Sequence, residues 1–155
     1  MGVRPVSLKG RALAYLARRE HSRLELERKL APHAESPEQL ERVLDELEHA
    51  KLLSAERFAQ SLVYRRADRF GTARIRAELK QHQLAPDVVS AQTQNLQATE
   101  LERAREVWQR RFGHIAASPA ERAKQMRFLA ARGFSAEAIR HAVTGAHVDD
   151  EFLSE

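Results

Sequence analysis

Seven histidines, His21, His33, His49, His82, His114, His141 and His147, and a carboxylate cluster at Glu38, Glu41, Asp45, Glu46 and Glu48 are the residues here with the widest chemical reach. Imidazoles can bind metals or move protons, and paired carboxylates can hold a divalent ion or do acid–base work. Their surroundings argue against both. There is no His-Glu-x-x-His spacing, no Gly-rich phosphate loop and no Gly-x-Ser-x-Gly elbow. The histidines fall mostly at expected helix ends or in loops, and all seven are read as surface residues. The acidic cluster lies on the polar side of a helix whose other face is Leu40, Val43, Leu44 and Leu47, with Arg42 and Lys51 near enough to offset some of its charge. Cysteine is absent, which excludes disulfides, thiolate zinc sites and cysteine nucleophiles. No catalytic residue, metal site or cofactor is expected.

Arginine is the more informative residue. Between Arg57 and Lys80 stand Arg57, Arg65, Arg66, Arg69, Arg74, Arg76 and Lys80, opposed only by Asp68 and Glu78. A planar guanidinium binds phosphate or carboxylate through two parallel hydrogen bonds, so this stretch is a candidate surface for a partner protein or for DNA. The competing expectation is a solvated helical face whose arginines pair with nearby acids. Trp108 and Phe112 could stack on bases as single-strand binders do, but their place in the repeat described below favours core packing.

The elements that carry these residues are helices. The 155 residues include only 6 glycines and 5 prolines, and Ala, Leu, Glu, Arg and Gln dominate, the residues that lose least on entering a helix. Ser22 with Glu25, Ser36 with Gln39 and Ser118 with Glu121 have capping-box spacing, in which each side chain serves the other's backbone N–H. Pro37, Pro86 and Pro119 stand where a first helical turn needs no N–H. About nine helices are expected, including separate ones over Pro86 to Leu96 and Thr99 to Phe112. No stretch approaches the ~20 apolar residues of a membrane span, and no apolar segment marks Met1 to Lys9 as an export signal. A monomeric cytoplasmic protein is expected.

Caps and core positions recur at intervals of about fifty residues. Ser36-Pro37-Glu38 returns as Ala85-Pro86-Asp87 and Ser135-Ala136-Glu137, each followed four positions after its first residue by Leu40, Val89 or Ile139. Leu30, Leu79 and Leu129 match, Phe58 matches Trp108, and Leu62 matches Phe112, with Leu13 as the first-copy partner of Leu62. The expected fold is therefore all-α, with three tandem three-helix repeats over 1–53, 54–98 and 99–145 and an acidic, frayed tail over 146–155. Units this small bury little core alone and lean on their neighbours, which gives an elongated, curved array.

With those residues in place, Arg57-Phe58-Ala59, Arg65, Arg69, Gly71, Arg74-Ile75-Arg76, Glu78-Leu79-Lys80 and Leu84 resemble the signature segment of the RecX family. Arg127-Phe128-Leu129, Arg132-Gly133-Phe134-Ser135 and Ile139 are similar to that family's last unit. Ala12-Leu13, Leu16, Leu24, Leu26, Arg28, Lys29 and Leu30 are similar to its first. The resemblance implies a non-enzymatic regulator in DNA repair and the SOS response. Such a regulator binds RecA and RecA–DNA filaments and limits recombination, ATP hydrolysis and co-protease activity, with direct contact to single- or double-stranded DNA also open. Arg57, Arg65, Arg66, Arg69, Arg74, Arg76 and Lys80 become its partner- or DNA-binding residues. The alternative is a sequence-tolerant DNA-binding helical repeat that acts without a recombinase.

Overall fold

A computed structural model describes Gly2 and residues 4–145, so His147 and the tail expected at 146–155 lie outside the described residues. Among the described residues eight α-helices follow one another: α1 Leu8–Arg18, α2 Arg23–Leu30, α3 Pro37–His49, α4 Ala55–Arg66, α5 Thr72–Gln81, α6 Pro86–Arg111, α7 Pro119–Ala131 and α8 Ala136–Val143. A single 3-10 turn, Ala31–His33, joins α2 to α3, and the described residues contain no strand.

Serine starts most of these helices. Ser7, Ser22, Ser36, Ser54, Ser118 and Ser135 each accept a backbone N–H of the first turn. Only Ser22 and Glu25 complete the reciprocal box; Gln39 and Glu121 instead receive the N–H of Glu35 and Ala117, one residue before the cap. The expected break between two helices near residue 98 is absent, and α6 runs unbroken through it. No glycine or proline stands there, and the Thr99 hydroxyl donates back to the Leu96 carbonyl rather than capping a new start.

There are three cores, taken in chain order. Leu26, Leu30, Leu44 and Leu47 centre the first, among α1, α2 and α3. The second gathers Phe58, Leu62, Ile75, Leu79 and Leu96 from α4, α5 and the first half of α6. The third holds Trp108, Leu129, Phe134 and Ile139 from the second half of α6 with α7 and α8. Phe58, Leu62, Leu79, Trp108 and Leu129, all expected in the core, are at most 3% exposed. Leu13 is not: it is 38% exposed, and α1 turns Leu8 and Ala12 inward instead. A fully buried leucine contributes about 1.5–3 kcal/mol, so cores of this size need support from the junctions between units.

Those junctions repeat. Ser22 and Gly71 are the N-caps of α2 and α5, the second helices of units one and two. Ser22 Oγ lies 2.8 Å from Nδ1 of His82, the C-cap of α5, and the Gly71 N–H donates to the carbonyl of Arg132, the C-cap of α7, at 2.7 Å. At each step the second helix of one unit therefore ends on the start of the second helix before it.

Candidate interface on the second unit and its junctions

The basic stretch is divided among several environments. Arg57 reaches back to the first unit, its Nε donating to Glu20 at 2.9 Å. Arg66 grips Glu78 through both Nε and Nη2 at 3.2 Å, tying α4 to α5, and both side chains are about one-third exposed or less. These two guanidiniums already have carboxylate partners. Arg65 is exposed and turns its Nε to the Ser61 carbonyl, one turn earlier on α4. Arg69 is exposed, with Asp68 3.9 Å away. Arg74 is exposed and lies over the Phe70 ring, 4.0 Å from its centroid. Arg76 and Lys80 face a groove of about 570 Å³ between α5 and α6, beside Ser90, Thr93 and Gln94.

Three features escaped the sequence reading. Arg103, on α6, is 9% exposed and spends all its donors inside the protein. Nε donates to the Thr99 hydroxyl, Nη1 to the carbonyls of Ala67 and Phe70, and Nη2 to Thr72 Oγ1 and the Leu96 carbonyl, at 2.7–3.2 Å. Burial pushes this guanidinium below its ordinary pKa, while Glu100 and Glu106 pull the other way. Glu100 also accepts the Thr72 N–H at 3.0 Å, supplying from a neighbouring helix the cap that Gly71 has no side chain to provide. An arginine in a mixed-charge helix carries no mark of burial, so periodicity alone could not separate Arg103 from the basic residues around it.

The second feature corrects the reading of the histidines as surface residues. His21 is 1% exposed, enclosed within the first unit beside Tyr15 and Lys29, and the His82 side chain is 19% exposed, lying at the junction between the first two units. His21 Nδ1 is 3.0 Å from the Arg19 carbonyl, and Lys29 Nζ is 2.9 Å from Nε2, an arrangement served by neutral imidazole donating through Nδ1. The His82 ring packs on Phe58 with centroids 4.6 Å apart. Burial lowers the pKa of both. Around His21 the Arg19 carbonyl and Glu25 oppose that shift while Arg19 and Lys29 add to it; around His82, Glu25 and Glu78 oppose while Arg19 and Arg28 add. Glu25 moves down to about 2: burial alone would raise it, but hydrogen bonds from Arg19 and the Ser22 N–H and the charges of Arg19 and His82 outweigh that. His33, His49 and His114 are exposed, and His141 is half-buried.

The third is a set of arginines on phenylalanine rings across units two and three, in which Arg111 and Arg132 join Arg74. Trp108 is no platform for bases, since its indole N–H donates to buried Gln125 at 2.9 Å. The acidic cluster on α3 is also offset from outside that helix, Arg23 bridging Asp45 and Glu48 and Lys9 lying 3.7 Å from Glu46. Among the described residues no group of three or more His, Asp or Glu could hold a metal ion, and no helix is long and apolar enough to cross a membrane.

Comparison with known proteins places this architecture. Models of the first, second and third three-helix domains of RecX match residues 9–47, 56–91 and 98–143. The chain is 56% identical over 142 residues to the regulatory protein RecX of Ralstonia nicotianae, covering 92% of this chain and 89% of that one. It is 49% identical over 147 residues to the regulatory protein RecX of Herbaspirillum seropedicae, covering 95% and 96%. The crystal structure of RecX from Lactobacillus salivarius superposes with a TM-score of 0.73 at 19% identity, over 88% of this chain and 92% of the other, a likeness of fold. Three successive three-helix domains and identity sustained along almost the whole chain lead to one conclusion: the protein belongs to the RecX family, a family of regulators rather than enzymes.

Proposed function

We propose that this protein binds RecA and RecA–DNA filaments and modulates them, mainly by inhibiting recombinase, ATPase and co-protease activity. The reading rests on family membership together with one observation: Arg65, Arg69, Arg74, Arg76 and Lys80 are all exposed on the middle unit. Arg57 pairs with Glu20 of the first unit and Arg66 with Glu78 inside the second, so both are assigned a structural part and not a direct contact with the partner. Three units joined by repeated junctions can span neighbouring subunits of a filament, and several weak contacts then act together. The protein works as a cytoplasmic monomer without a cofactor.

The test is co-sedimentation with RecA filaments assembled on single-stranded DNA, together with RecA-dependent ATP hydrolysis and strand exchange at stoichiometric protein. Binding and inhibition are expected. Replacing Arg65, Arg69, Arg76 and Lys80 together with serine should weaken inhibition while helicity is unchanged. No effect of the wild-type protein on either activity overturns the proposal. Binding to bare DNA as tight as to RecA-coated DNA would instead favour a recombinase-independent DNA binder.

A further inference from the structure

The two junctions of the array are built differently. Units two and three share a helix, since α6 carries Leu96 of the second core and Trp108 of the third without a break. The Gly71 N–H donates to the Arg132 carbonyl, backbone to backbone, and Arg103 on α6 donates to the carbonyls of Ala67 and Phe70. Units one and two have no helix in common. Among the described residues no backbone–backbone hydrogen bond crosses between them. The bonds and ion pairs that do cross join side chains: Ser22 Oγ lies 2.8 Å from Nδ1 of His82, Glu25 lies 3.9 Å from the same nitrogen, and Arg57 Nε donates to Glu20 at 2.9 Å. The Arg57 and Glu20 side chains are 43% and 31% exposed, so water competes for that pair.

The covalent link between units one and two is one peptide wide. Leu53 is buried in the first core, its N–H bonded to the Leu47 carbonyl, and the next residue, Ser54, already caps α4 by accepting the Arg57 N–H. Ser54 is extended, with φ −141° and ψ 118°. Rotation at these torsions turns one unit against the other without breaking a helix or opening a core. A groove of about 410 Å³ beside the link, bordered by Glu48, Lys51, Glu56 and Arg57, leaves room for that movement. Small polar interfaces permit bodies to move relative to one another, whereas a shared helix and touching backbones resist it. We propose that the first unit is a hinged arm that pivots at Ser54, latched closed by Glu20, Ser22 and Glu25 against Arg57 and His82, while units two and three move as one body. Opening the arm changes the span of the array and leaves the exposed arginines of the second unit fixed relative to the third. The hinge belongs to the free chain and does not depend on the RecA reading.

The chain has no cysteine, so pairs of nitroxide labels can be introduced on the full-length protein without competing sites. Glu41→Cys with Gln94→Cys spans the first junction, and Gln94→Cys with Lys124→Cys spans the second; all three positions are exposed. Double electron–electron resonance then reads the two distance distributions, and the first should be about twice as broad as the second. Replacing Arg57 and His82 together with glutamine should broaden the first distribution further, toward longer distances, and leave the second unchanged. Arg57→Gln alone, at a half-exposed side chain, has little consequence for folding and should move the first distribution the same way to a smaller extent. An unaltered distribution between positions 94 and 124 also shows that the remainder of each variant is folded. Equal breadths across the two junctions of the otherwise unsubstituted protein would overturn the proposal. So would a first distribution that neither set of substitutions alters, because the side chains named would then not be what holds the arm.

Discussion

Gly71 and Gly133 meet backbone to backbone: a Cβ placed on Gly71 would lie 2.2 Å from the Gly133 carbonyl oxygen. The contact brings the Gly71 N–H to Arg132 and sets the third unit on the second. Gly133 is constrained twice over, since its φ is +89° and a Cβ there would lie 2.5 Å from Cβ of Arg74. The positive φ closes α7, with the Phe134 N–H donating back to the Leu129 carbonyl.

Alanine at Gly71 or at Gly133 should therefore destabilise the protein by about 1–3 kcal/mol, the usual cost of forcing a close-packed contact apart. Urea unfolding followed by circular dichroism checks this. Trp108 fluorescence should report the same loss, because its core borders the junction.

Gln83 occupies in the second unit the place that Gly133 holds in the third, just after the C-cap of the second helix, and has a φ of 55°. A side chain in that region carries a steric cost that glycine avoids. Gln83→Gly should raise stability by about 1 kcal/mol despite losing side-chain atoms. A fall in the urea midpoint would contradict the argument.

Arg103→Leu removes a donor from two hydroxyls and three carbonyls at the second junction and should cost about 2–4 kcal/mol. Arg103→Lys restores the charge but not the planar fork, so it should recover only part of the loss. Thermal unfolding of the two variants beside the wild type measures both.

Acid should weaken the first unit and its junction with the second in two stages. Burial holds the folded-state pKa values of His21 and His82 below their ordinary 6.5, so unfolding takes up protons in that range and their contribution is lost as pH falls below about 6.5. Glu25, held at about 2 against an ordinary 4.5, contributes stability that is full above 4.5 and is lost between there and about 2. Denaturation midpoints measured from pH 7.5 to 3 should decline across both windows. His82→Gln should flatten the upper one and Glu25→Gln the lower.

Arg66→Gln should cost about 1 kcal/mol through loss of its two-pronged grip on Glu78 and leave the proposed inhibition of RecA unchanged. Loss of inhibition in a folded Arg66→Gln protein would return Arg66 to the binding surface.

Much of this molecule was legible in the order of its residues. Serine caps, first-turn prolines and apolar stripes act within a few residues of themselves, so helix starts, the threefold repeat and the burial of Phe58, Leu62, Leu79, Trp108 and Leu129 follow from local spacing. Family kinship was legible for the same reason, since those local features carry it. Tertiary structure alone decided which charges are spent and which remain. Arg66 and Arg69 are the same letter, yet one grips Glu78 across a helix pair and the other is exposed beside Asp68. His21 and Arg103 are polar residues whose burial depends on partners in other elements, and Arg132 comes beside Phe70 only because two glycines let the backbones touch. Local sequence fixes the pitch of a helix, whereas pairing between residues far apart in the chain depends on how rigid units meet.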